Sequence, residues 1–157
     1  MNLKNALTLT KPILGCKVVQ GRPRQLLRDD LGQPALVSPV WHDHFTLAAS
    51  ALDIRYRNDM IVFPKGYKAN KFEEFVRSYN KFQKERFECI PAGATIEFEV
   101  MLLDDRLAPT DYAKILAVVG ERLGLSQFGN KFGFGRFDIN YIKRTKLSVD
   151  LNFELDV

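Results

Sequence analysis

Cysteine, histidine and tryptophan are all scarce in this chain of 157 residues, which has two, two and one of them. Cys16 and Cys89 have no CxxC and no metal-ligand spacing around them. That argues against a stapled scaffold or a zinc ribbon and predicts two reduced thiols in a cytoplasmic protein. No apolar run approaches the ~18 residues of a membrane span. The opening "MNLKNALTLT" also lacks the uninterrupted apolar core of a cleavable signal. With no repeat, low-complexity tract or linker, residues 1–157 read as one domain, long enough to bury a core.

What is present is ordinary for a globular chain, at 46% hydrophobic and 27% charged residues. The net charge of +4 permits an anionic partner without requiring one. The first strand is expected over Leu3–Thr10, continuing past Pro12 into "ILGCKVV". A basic irregular excursion follows near residues 20–38. Ser38-Pro39 then opens a helix to about Leu52, with Trp41, Phe45, Ala48 and Leu52 as its buried stripe. Ile54–Tyr56 and "MIVF" read as short strands. An inserted helix is expected near 70–85, opened by Asn70 and Glu73, with Phe72, Phe75, Val76, Tyr79 and Phe82 on one face.

Downstream, Pro91-Ala92-Gly93 predicts a turn, and the alternation of Ile96, Phe98, Val100 and Leu102 predicts a half-buried strand. A helix capped at Thr110 or Asp111 should bury Tyr112, Ile115, Leu116, Val119 and Leu123 and end at Gly124. Strands over Phe134–Ile142 and Leu147–Val157 complete the chain. This order gives an α+β fold, a ferredoxin-like or RRM-like antiparallel sheet with helices on one face.

The stretch "GLSQFGNKFGFGRF", Gly124–Phe137, holds four glycines, four phenylalanines, Lys131 and Arg136, and no acid. Glycine permits positive φ and close backbone approach. Exposed N–H groups beside Lys131 and Arg136 suit phosphate oxygens, and Phe128, Phe132 and Phe134 suit stacking on bases. The plainer alternative is a tight connection with its phenylalanines in the core. No Gly-Lys-Ser/Thr triplet follows, so this is no P-loop. The glycines come after a helix and before a strand, the reverse of the dinucleotide-binding order.

A glycine-rich loop in that place, with "FECIPAGATIEFEVML" upstream, resembles the signature of the RAMP superfamily of CRISPR-associated RNA-binding proteins. The resemblance spans mainly Phe87–Ile142, and its "GFGRF" end is the most specific part. It implies a ferredoxin-like core, RNA as partner, and Gly129, Gly133 and Gly135 as backbone contacts beside Lys131 and Arg136. The chain departs from the family in "VSPVWHDHF", which matches a helix start in position but not in wording. It is also shorter than typical members, as a divergent or virus-borne relative would be.

Other basic residues group as Arg22 with Arg24, Arg55 with Arg57, and Lys143 with Arg144. Together with the loop they form a candidate track for a phosphate backbone. His42 and His44 are the weak candidates for acid–base chemistry; on a helix, positions i and i+2 diverge, which disfavours a shared metal. Three readings stay open at this level. The first is non-enzymatic binding of single-stranded nucleic acid, foremost RNA, as an assembling subunit. The second is a small metal-independent endoribonuclease, and the third a viral or mobile-element protein that joins or mimics a RAMP subunit. Homo-oligomers or CRISPR-type subunits are the protein partners these imply, and no cofactor or metal is expected.

Overall fold

The computed structural model describes residues 2–26, 38–56, 60–78, 83–103, 107–126 and 133–145. Within them the chain runs β1 (Asn2–Leu9), β2 (Ile13–Leu14), α1 (Ser38–Ala51), β3 (Met60–Ala69), β4 (Glu73–Ser78), β5 (Lys84–Ile90) and β6 (Thr95–Leu102). Then come α2 (Pro109–Val118), a π-helical turn (Val119–Leu123) and β7 (Phe137–Thr145). The main sheet has four strands in the order β3-β6-β1-β7, and an accessory sheet has three in the order β2-β5-β4. All these pairings are antiparallel. Without β2, β4 and β5 the element order is β-α-β-β-α-β, with the first and third of those strands side by side. That is the ferredoxin-like arrangement, an α+β fold.

Apolar residues at alternate positions build the centre of the main sheet. Leu3, Leu7 and Leu9 of β1 and Ile96, Phe98, Val100 and Leu102 of β6 are buried, in one cluster with Ile115, Leu116 and Val119 of the second helical segment. The register sets Leu3 beside Val100 and Leu7 beside Ile96, so these positions share the helix-covered face. Trp41 stacks on Phe45 at 5.7 Å and meets Phe98 edge-on at 5.3 Å. One polar pair crosses this core: the Tyr112 hydroxyl donates to Asn5 Oδ1 at 2.9 Å, and Asn5 Nδ2 donates to the Leu3 carbonyl at 3.1 Å. Buried polar atoms satisfied in this way hold α2 at one position over β1.

Several local expectations are corrected. The largest correction is the inserted helix near 70–85, where the described residues form strands β4 and β5 instead. Spacings of three and four fit a helix, but phenylalanine and valine also suit a pleated surface, and pairing with β5 decides the outcome. Phe75 lies opposite Phe87 in that ladder. Asn70 does not cap a helix; its Oδ1 accepts the Thr95 N–H at 2.8 Å.

The first strand stops at Leu9, and the chain bends before entering the accessory sheet at Ile13. Ile54–Tyr56 is not a strand. Leu52 is 37% exposed, and Ala49 takes its place in the buried stripe. The second helix starts one residue before Thr110, with Pro109 in its first turn and no side-chain cap. The strand expected from Phe134 begins at Phe137, because Gly133 and Gly135 with φ of +85° and +81° interrupt extended backbone. The strand expected over Leu147–Val157 lies outside the described residues.

Candidate nucleic-acid interface

The glycine-rich segment is built around a closed backbone neck. The helical turn hands the chain to Gly124, whose N–H donates to the Val119 carbonyl at 2.6 Å. Leu125 N–H donates to the Gly135 carbonyl at 2.9 Å, and Gly135 N–H to the Pro12 carbonyl at 2.8 Å. Buried Ser126 accepts the Leu14 N–H on its Oγ at 3.0 Å. Two glycines allow the strands of the neck to touch. A Cβ on Gly124 would sit 2.5 Å from the Phe134 carbonyl oxygen, and one on Gly135 would sit 2.7 Å from Leu125 N. Both also have positive φ.

Residues 127–132 link Ser126 to Gly133 in the sequence. Phe128, Gly129, Lys131 and Phe132 of the sequence-derived site all fall there, outside the described residues. Gly133, Gly135 and Arg136 belong to the neck itself.

Phe134 does not stand free for stacking. It meets Phe75 edge-on at 5.6 Å, and Phe75 lies 6.4 Å from Phe87. With Leu14 and Cys89 these rings form a second apolar cluster that joins the neck to the accessory sheet. Burial, with Glu73 next in effect, pushes the Cys89 thiol up to about 11, so it is a packing residue and not a nucleophile at neutral pH.

Arg136 has two roles in the geometry. Its Nη2 donates to the Arg122 carbonyl at 3.3 Å, placing a cation over the carbonyl end of the helical segment. It also lines an open groove of about 510 Å³ with Thr10, Lys11, Gly120, Glu121 and Asp138. Lys11 had no distinguishing sequence signal; only the bend after β1 brings it beside Arg136.

The two histidines diverge, as positions i and i+2 of α1 require. His44 is buried, its Nδ1 lying 2.7 Å from the Gly124 carbonyl oxygen, while His42 Nδ1 lies 3.1 Å from the Tyr56 hydroxyl. His44 therefore braces the neck and does not face a substrate. Sequence reasoning missed this contact.

Among the described residues, the remaining cations fall in separate places. Lys143 sits 4.5 Å over the Tyr141 ring on β7, with Arg144 exposed beside it. Lys143 is paired in register with Lys4, but Lys4 also faces Glu99 across β1 and β6. Arg55 is exposed on the segment after α1, and Arg57 is outside the described residues. Arg22 and Arg24 lie against the accessory sheet, where they line a cleft with Lys84 and Arg86.

No family model matches the chain, and no curated protein matches it. Among solved structures, a chain of "Cryo-EM structure of the Type III-B Cmr-beta bound to cognate target RNA" superposes with a TM-score of 0.60 at 11% identity. The likeness is one of fold. It covers 90% of this chain and 59% of the other, so the present chain spans less than two-thirds of its neighbour's length. No helix among the described residues is long and apolar enough to cross a membrane.

Proposed function

We propose that the protein is a compact relative of the RAMP superfamily that binds single-stranded RNA without cutting it. The segment between Gly124 and Arg136 is the primary contact. One observation carries this reading: the loop's two ends, Leu125–Ser126 and Gly135, are locked to each other and to the segment of Pro12 and Leu14, with Lys11 beside Arg136. A preorganised base lowers the ordering cost of binding. The cations supply sequence-independent attraction to phosphates, and the fold's likeness to a chain from an RNA-bound complex adds support. Of the two histidines that a nuclease would use, His44 is committed to the Gly124 carbonyl, which favours the non-cutting reading.

The test is a fluorescence-anisotropy titration of labelled uridine 20-mers across a salt series. Lys131→Ala/Arg136→Ala should keep the protein folded, weaken binding for every sequence, and reduce the salt slope by about 0.7 per lost phosphate contact. A folded double variant with wild-type affinity at every salt concentration would make the loop a connector. The reading of an interaction protein that touches no nucleic acid would then take its place.

A further inference from the structure

The accessory sheet carries a second cationic cleft, separate from the groove beside Arg136. Its walls are the segment Val18–Arg24 on one side and the start of β5 on the other. Arg24 N–H donates to the Arg86 carbonyl at 2.8 Å, and Glu88 N–H donates to the Arg24 carbonyl at 2.7 Å. The segment is thus zipped along β5, and its arginines arrive in a defined place.

Arg22, Arg24, Lys84 and Arg86 line this opening of about 330 Å³, against the single acid Glu85. That acid is tied to Arg24. Arg86 also has Glu74 at 3.6 Å, but both side chains are about half exposed, where such a pair is weak and easily exchanged for another anion. Val18, 71% exposed, forms an apolar lip. Clustered cations along an open cleft suit the phosphate backbone of a nucleic-acid strand.

The cleft is coupled to the neck. The Arg24 guanidinium lies 6.0 Å over the Phe87 ring, Phe87 packs near Phe75, and Phe75 meets Phe134 of the loop. Loop and cleft are therefore two ends of one aromatic joint.

We propose that this cleft is a second backbone-binding segment for the same RNA strand, with Arg22, Lys84 and Arg86 contacting phosphates. The inference rests on the RNA-binding reading above and extends the footprint beyond the loop. Arg24 holds the wall in place through Glu85 and Phe87.

The experiment compares wild type, Arg22→Ala/Lys84→Ala/Arg86→Ala and Lys131→Ala/Arg136→Ala on the uridine 20-mer across a salt series. All three cleft side chains are exposed, so the triple variant should keep its melting temperature. It should lower the salt slope by about 2 units, or about 0.7 per cation. In unmodified protein, a 4-thiouridine 20-mer should crosslink to peptides containing residues 18–24 or 84–86, a readout that needs no variant.

An unchanged slope in the triple variant together with no such crosslinks, while the loop variant still weakens binding, overturns the cleft and leaves the loop reading standing. Wild type that fails to bind the 20-mer at any salt concentration overturns the loop reading, and this inference with it.

Discussion

His44 and Gly124, eighty positions apart in the chain, meet at 2.7 Å through an imidazole Nδ1 and a backbone carbonyl. A carbonyl can only accept, so Nδ1 carries the proton. The contact ties α1 to the residue where the helical turn gives way to the glycine-rich neck. A histidine chosen for chemistry would need an open face; this one is buried.

His44→Ala should therefore behave as a structural variant. Leaving a buried carbonyl unpaired costs about 1–3 kcal/mol. At this chain length each kcal/mol lowers the melting temperature by roughly 2–4 °C. His42→Ala, on a half-buried ring beside the Tyr56 hydroxyl, should cost less. Thermal melts of both variants decide the matter, and a His44→Ala melt equal to wild type would remove the brace.

The glycines of the neck should also separate. At Gly133 the described atoms nearest an added Cβ belong to the end of the Arg136 side chain, at 3.3 Å. Gly133→Ala then costs mainly its positive φ, about 1–2 kcal/mol. Gly135→Ala adds overlap with the Leu125 backbone, which cannot swing away. Chemical denaturation should rank Gly135→Ala as clearly the less stable. Equal losses would mean that the neck opens freely and does not fix the loop.

Legibility followed how local the determining interactions were. The alternation of β6 was readable because one face of that strand is buried along its whole length, leaving a period of two in the residues themselves. The segment around Phe75 carried two periods at once. Its apolar residues fit a helix stripe, and only the ladder to Phe87 makes it a strand. The same limit applies to the site. Glycines, lysine and arginine between Gly124 and Arg136 marked the loop, since positive φ and charge belong to single residues. The grouping of Arg22 and Arg24 with Lys84 and Arg86, and the bracing by His44, depend on contacts between distant positions. No window of sequence contains them.

Alkaline pH should expose the buried Tyr112–Asn5 pair. Burial holds the Tyr112 phenol well above its ordinary value of about 10. The unfolded chain loses that proton near pH 10 while the folded chain retains it. This contribution to stability is full below about pH 10 and declines as pH rises beyond it. Cys89, raised from 9.0 to about 11, adds a loss in the same direction between those two values. Absorbance at 295 nm should include a tyrosine component, that of Tyr112, which ionises only as the fold is lost. In Tyr112→Phe that late component should vanish, and the melting temperature at neutral pH should fall because Asn5 Oδ1 loses its donor.

Phe134 separates packing from recognition at the loop itself. Its ring meets Phe75 edge-on, in a cluster with Leu14, Phe87 and Cys89, so removing it should loosen the joint between the neck and the accessory sheet. Phe→Ala at a fully buried site costs about 3–5 kcal/mol; Phe134 is only partly buried, so Phe134→Ala should fall below that range. On the RNA-binding reading, affinity should drop with stability, because the neck is no longer held against the accessory sheet. Phe134→Leu keeps most of the apolar volume and cannot stack on a base. If Phe134 acts by packing, the leucine variant restores both melting temperature and affinity for the uridine 20-mer. A leucine variant that melts like wild type yet binds as weakly as the alanine variant would assign the ring to base stacking, and the aromatic joint would then be part of the RNA contact and not its support.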